Sequence, residues 1–405
     1  MYPPRLLPGL LLGLGAVRPR TVGALTYTNQ FQLWYPQYGW IYERILRENC
    51  TAEYDAYRTG IKNDSAIDRL GGGGVYSALT QPVVLCLLDG ASEYVKAQMA
   101  SSQVLLGVAP TVLALLGPGA DETAALLLVA RRPLLFVLIA AGSPSVYLGR
   151  AFEYPAPARL LAEPPTLALR RARPRGARRA AVTLAEYALV VGAVANIGLV
   201  SYDVGRRTIC AVISDWIFAP LFWACLGIVV HISGAVVQRM RLRRLGPGEA
   251  PTGVDVGLGP WLAGLPRRTL RAAAGEFRIA AAQDDVRVDV FPESEAYVCL
   301  SWLLSTAIIS QILLGTLIFS STLFMGPLDA LTVLVRYILS AMTCRIVLMY
   351  ELSGIRDAVK RSRETAGAPA TEVVMVEPGT MASTGHDPHS YPTEKAHWRR
   401  AIEGA

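Results

Sequence analysis

Four side chains able to do chemistry stand in stretches otherwise made of hydrocarbon: Asn196, Asp215, Gln311 and Arg336. An ionisable group inside a lipid-length apolar run costs roughly 3 kcal/mol or more unless it is paired. At about 1.5 Å per helical residue, Asn196 falls roughly two thirds of the way out along its run. By the same measure Asp215 lies about 9 Å below the outer edge of its run, Gln311 at a similar level, and Arg336 about 12 Å down. The four depths converge on one layer. Asp215 and Arg336 are expected to pair there, with Asn196 and Gln311 as hydrogen-bond partners. Such a layer either encloses a polar ligand or ion, or clasps helices in register. No GxSxG, HExxH, paired intramembrane aspartates or Ser/His arrangement in adjoining runs competes with it, so no catalytic, cofactor or metal residues are assigned and no enzyme is expected.

The elements that carry these residues follow from composition. The chain has 405 residues, 52% hydrophobic and only 18% charged, with a mean hydropathy of +0.34. Soluble domains carry about 25% charge, and here the apolar residues are clumped into blocks approaching the roughly 20 residues that a bilayer crossing needs. The fold class expected is all-α, a polytopic transmembrane helical bundle of about seven spans, with six as the alternative. Ten-residue alternating segments of a β-barrel are lacking.

Orientation comes from arginine. Arg150, Arg159, Arg170, Arg171, Arg173, Arg175, Arg178 and Arg179 face only Glu153 and Glu163 over one short stretch, and short basic loops stay on the cytoplasmic side. The net charge of +7 is concentrated there, at Arg239 to Arg244 and at Arg356 to Arg363, each just beyond an apolar block. This predicts contact with the lipid bilayer and its anionic headgroups at the Arg-rich loops, and no nucleic acid.

Taken in order, residues 1–24 form a candidate signal peptide, although Pro8, Arg18 and Arg20 fit it poorly. Residues 25–74 make a lumenal or extracellular N-terminal segment rich in aromatics (Trp34, Tyr35, Tyr38, Trp40, Tyr42), with candidate N-glycosylation at Asn49 and Asn63. Residues 75–149 hold three apolar segments, spans 1 to 3, near Val75 to Asp89, Ser102 to Leu116 and Ala124 to Leu148. The third requires Arg131 and Arg132 at its outer end and a kink at Gly142-Ser143-Pro144. Residues 150–182 are the Arg-rich cytoplasmic loop, and 183–238 a helical hairpin (Thr183 to Tyr202, then Ile209 to Val237). Arg206 and Arg207 in its turn run against the positive-inside trend.

Residues 239–296 form a cytoplasmic loop able to meet a cytosolic partner; its Leu270 to Ala282 stretch reads as a solvated connecting helix or one lying on the membrane surface. Residues 297–352 form a second hairpin turning at Gly326-Pro327, and 353–405 a disordered cytoplasmic tail holding His386, His389 and His397. If the first apolar segment fails to cross, six spans remain and both termini are cytoplasmic. Six cysteines without CxxC spacing indicate neither a zinc site nor a disulfide framework. Ala188 and Gly192 read as a small-xxx-small pair for close helix contact.

Two runs, Ala91-Ser92-Glu93-Tyr94-Val95-Lys96-Ala97-Gln98-Met99 and Gly142-Ser143-Pro144-Ser145-Val146-Tyr147-Leu148-Gly149-Arg150-Ala151-Phe152-Glu153-Tyr154, resemble segments of an uncharacterised group of multi-pass membrane proteins of filamentous fungi. The resemblance covers about residues 25 to 155 and implies a fungal membrane protein, with no activity, ligand or functional residue attached. The function expected is therefore an integral membrane protein of the plasma membrane or endomembranes, receptor- or sensor-like or structural. The alternative is a small-solute or ion transporter, for which the short Pro-bearing segments in residues 75 to 117 are a weak echo of interrupted helices.

Overall fold

The computed structural model describes residues 29–60, 78–147, 149, 152, 160–161, 177–245, 276–280 and 286–365. The candidate signal-peptide segment 1–24, Asn63, most of the Arg-rich stretch 150–182, much of 239–296 and His386, His389 and His397 lie outside them.

Eleven α-helices are described: α1 Gly39–Glu48, α2 Thr51–Arg58, α3 Gln81–Gly90, α4 Glu93–Gly107, α5 Ala109–Leu116, α6 Ala120–Leu128, α7 Pro133–Gly142, α8 Ala177–Arg207, α9 Ala219–Arg239, α10 Glu295–Ser320 and α11 Pro327–Thr365. Four short strands accompany them: β1 Ile209–Cys210, β2 Leu242–Arg244, β3 Val288–Val290 and β4 Thr322–Leu323. Five apolar runs are long enough to cross a membrane: α4 with α5, α8, α9, α10 and α11.

The seven spans expected are thus not reached among the described residues. The first apolar segment is the ten-residue α3 and the third is split into α6 and α7, each well short of the roughly 20 residues a crossing takes. The split has a local cause. Pro133 cannot donate within a helix, and Arg131 adopts a left-handed φ of 58°, so the chain turns sharply and restarts with Pro133 in the first turn of α7.

Proline and serine set the other boundaries. Pro220 opens α9 and Pro327 opens α11, each in the first turn, where its missing N–H costs nothing. The Ser294 hydroxyl caps α10 by accepting from the Tyr297 N–H at 3.2 Å. α11 runs on to Thr365, beyond the Leu352 end expected from hydropathy, because Leu352, Ile355, Ala358 and Val359 keep one face buried in the core.

The long helices form two hairpins, α8–α9 and α10–α11, tied at both ends. β1 in the first turn pairs antiparallel with β4 in the second, Ile209 opposite Leu323. At the far end β2, after α9, pairs antiparallel with β3, before α10, Leu242 opposite Val290. The first end is called here the cap end and the second the arginine end. Trp223 is fully buried between them, its ring edge-on to Phe319 at 5.1 Å and near Tyr337 at 6.3 Å.

The outward faces stay apolar. On α11, Leu331, Val335, Leu339, Met342 and Ile346 follow helical spacing and are all exposed. A stripe of that size is unsuited to water and suited to lipid tails. With the five long helices, it makes this an integral membrane protein by composition and shape.

Candidate functional site

The cap is built from aromatic residues. Trp34 and Tyr42 lie 5.4 Å apart, and both pack on Phe324, at 5.7 and 5.2 Å. Phe324 sits in the α10–α11 turn with a left-handed φ of 64°. A disulfide between Cys50 and Cys86 joins the start of α2 to α3, which corrects the expectation that the cysteines form no disulfide framework. Hydropathy alone had put Cys86 in a membrane span; α3 instead lies in the cap cluster with α1 and α2. Asn49 is exposed directly before the bridge.

The cap grips both hairpin turns. The Leu328 N–H donates to Gln37 Oε1 at 3.0 Å, while the Gln37 N–H donates to the Asp329 carboxylate at 3.1 Å. Gln30 Nε2 donates to the Ser214 carbonyl at 2.8 Å, and the Thr80 hydroxyl to Asp215 at 3.1 Å. A cavity of about 490 Å³ opens in the cap, lined in part by Phe31, Trp34, Tyr54, Glu43, Arg47 and Asp55.

The four residues of the expected layer go to three places. Asn196 and Arg336 meet: Arg336 Nε donates to Asn196 Oδ1 at 2.9 Å, and Asn196 Nδ2 donates to the Arg336 carbonyl and to Ser340 Oγ, both at 2.8 Å. The carboxylate nearest Arg336 is Asp203, at 3.9 Å, and not Asp215. Asp215 lies outside the membrane helix, because Pro220 delays the start of α9 and leaves Ser214-Asp215-Trp216 as connection.

Gln311 turns to the middle of the bundle, where its Nε2 donates to the Pro144 carbonyl at 2.7 Å and its own carbonyl accepts from the Trp223 indole at 3.0 Å. Here the chain breaks between α5 and α6 and again after α7. The Tyr147 N–H donates to the Pro118 carbonyl, and the Ser145 hydroxyl to the Pro110 carbonyl, each at 3.0 Å. His231 faces this junction fully buried, its Nδ1 3.0 Å from the Thr123 hydroxyl. His231 Nε2 and Gln311 Oε1 are buried without a hydrogen-bond partner.

The largest concentration of buried charge lies at the arginine end. Arg132 Nη1 is 2.8 Å from Glu186 and 3.0 Å from Glu351, with the arginine and Glu351 fully enclosed. Its Nε donates to the Glu276 carbonyl at 2.9 Å, and its guanidinium lies over the Tyr187 ring at 5.4 Å. The Glu276 carboxylate in turn accepts the Leu134 and Leu135 N–H groups at 3.2 and 2.9 Å, capping the N-terminus of α7, and the Tyr187 hydroxyl. Burial works against charge on Arg132, and the Glu351 and Glu186 carboxylates outweigh it, so the guanidinium stays protonated. Nearby, burial and then Arg131 pull Arg244 down to about 10.

The sequence reading did not identify this cluster. Its signal was present in Arg132, Glu186 and Glu351, each next to or inside an apolar run. Hydropathy reads Arg132 as the outer end of a continuous span and gives no weight to Glu186 or Glu351.

Ala188 is exposed and Gly192 has nothing within 4 Å of where a side chain would start, so the small-residue pair faces outward. Close backbone approaches are instead at Gly117, Gly205 and Gly227. Among the described residues no group of three His, Cys, Asp or Glu side chains could hold a metal ion. Compared with family models, curated proteins and solved structures, the chain matches none.

Proposed function

We propose that this integral membrane protein is receptor- or sensor-like, with the disulfide-bonded cap as its reading element. The observation that carries the reading is that the wall of the cap cavity is also the grip on the bundle. Trp34 lines the cavity and packs on Phe324 in the α10–α11 turn. A ligand that moves Trp34 acts on the turn of the second hairpin, and differential contact of that kind is what biases a two-state element. Rings beside Asp55, with Glu43 paired to Arg47, suit a small organic cation, by ring-face attraction and charge.

The orientation proposed is cap lumenal or extracellular and arginine end cytoplasmic. A disulfide is at home in oxidising compartments, and the arginines belong inside. Five crossings, the first begun by α4–α5 and completed by α6 and the others made by α8, α9, α10 and α11, carry the chain from an outer N-terminus to a cytoplasmic C-terminus. Seven would have ended on the same sides.

The test is a thermal-shift series on detergent-purified protein with tetramethylammonium and phenethylamine. Stabilisation that disappears in Glu43→Gln/Asp55→Asn and in Trp34→Ala, joined by ligand-dependent protease protection of residues 239–296, supports the reading. Ligand binding that leaves those residues unchanged argues against signalling.

A second reading, a small-solute transporter, is favoured by one feature. Broken backbone at membrane depth beside the unsatisfied His231 Nε2 and Gln311 Oε1 is the arrangement in which transporters hold polar solutes. Solute flux in proteoliposomes that falls in Gln311→Leu would select it.

A further inference from the structure

We infer that the arginine end carries a binding site for one anionic phospholipid, between α8 and the segment around Phe277. A cavity of about 550 Å³ lies there, lined by Arg179, Thr183, Leu184, Tyr187, Phe277 and Arg278. Its chemistry is divided. Two guanidinium groups stand among apolar side chains, the division that a lipid has between phosphate and acyl chain. Arginine matches phosphate oxygens with a planar fork of donors.

The site is continuous with the lipid-facing surface. Leu184 and Leu189 are exposed on α8 along the way towards the cap end, so a headgroup held at Arg179 leaves its acyl chain against leucines. Free phosphate would gain nothing from this apolar lining, and a peptide partner would have to displace lipid from α8. The occupant the observations favour is therefore a bilayer lipid.

The floor of the cavity is also part of the buried charge cluster. Tyr187 packs against Phe277 at 5.5 Å and donates to Glu276, the residue that caps α7 and holds Arg132 through its carbonyl. A lipid that packs on Tyr187 and Phe277 braces Glu276. The site thus couples the anionic content of the membrane to the rigidity of the α7–α8–α11 contact. It depends on the five apolar helices standing in lipid, and not on the receptor reading.

The experiment is native mass spectrometry of the full-length protein from nanodiscs of phosphatidylcholine with or without phosphatidylserine, alongside thermal unfolding. One phosphatidylserine should be retained in preference to phosphatidylcholine and should raise the unfolding temperature. Each of Arg179→Gln and Arg278→Gln should weaken retention about fivefold. Arg179→Lys/Arg278→Lys should keep only part of it, because an ammonium keeps the charge and lacks the fork, and Leu184→Glu should abolish it with both arginines in place. Arg58→Gln, at the exposed end of α2 and outside the cap cavity, should leave lipid retention unchanged. Equal retention of the two lipids, or an unchanged Arg179→Gln/Arg278→Gln double variant, overturns the site. So does phosphoserine alone stabilising as much as the whole lipid.

Discussion

Arg132 Nη1 lies 3.0 Å from Glu351 Oε2, and solvent reaches neither side chain. The arginine comes from the turn between two short helices and the glutamate from the longest helix, so this contact fastens the α6–α7 insert to α11. Breaking a buried pair leaves the remaining charge uncompensated, at about 3–5 kcal/mol. Glu351→Gln or Arg132→Gln should each lose that much, measured as the midpoint of unfolding in mixed micelles. Replacing Arg132, Glu186 and Glu351 together by Met, Leu and Leu should recover most of it. An unchanged midpoint in Glu351→Gln would mean that the pair fastens nothing.

The Cys50–Cys86 bridge closes a separation of 36 residues. Its removal should cost the cap about 2–4 kcal/mol while leaving the long helices inserted. Cys50→Ser/Cys86→Ser is expected to be cleaved quickly by protease within residues 29–60 and to resist alkaline extraction like the parent. Equal cleavage of both proteins would show that the bridge contributes nothing.

Two tyrosines make the cap alkali-sensitive. Burial raises Tyr42 and Tyr57 well above their ordinary value of 10.0, so each phenol stays protonated in the folded cap at a pH where the unfolded chain has lost it. The stabilisation is complete below pH 10 and is lost as pH rises past it, because the unfolded state then binds fewer protons. Tyrosinate absorbance should appear late and together with loss of the cap's protease resistance, and Tyr57→Phe should soften that transition. Smooth ionisation of both phenols at their ordinary value, with the cap intact, would contradict the assignment.

A side chain at Gly227 would start 2.5 Å from the Pro144 carbonyl, whereas one at Gly192 would meet nothing within 4 Å. Gly227→Ala is expected to destabilise by about 1–3 kcal/mol through overpacking, and Gly192→Ala to be neutral or slightly stabilising through helix propensity. Thermal unfolding of the two variants side by side decides this; equal behaviour would displace the α7–α9 junction from where it is described.

The long helices were legible because hydropathy reports length and lipid contact directly: the four runs centred on Val190, Val230, Ile309 and Ser340 are found as helices. The short ones were not. Ala124 to Leu148 carries no charge except at Arg131 and Arg132, and only tertiary partners reveal that those arginines mark a turn with carboxylates waiting from α8 and α11. Asn196 and Arg336 were brought to one depth by rise per residue alone, which works when two helices are straight and antiparallel. Asp215 escaped the same arithmetic because Pro220 moved the start of its helix. The cysteine bridge was hidden for a related reason: α3 has the composition of a membrane segment and the packing of a cap helix.

The strand pairs at the two turns and at the two loops have a mechanical corollary. A pair of hairpins stitched along one seam at top and bottom cannot gape like a clam at either face. Relative motion across α9 and α10 is left with rolling of each rod about its own axis, or bowing between the two ladders. Rocking that exposes a central pocket first to one side and then to the other would have to unzip a ladder on every cycle. A push at the roof that turns a rod breaks no stitch.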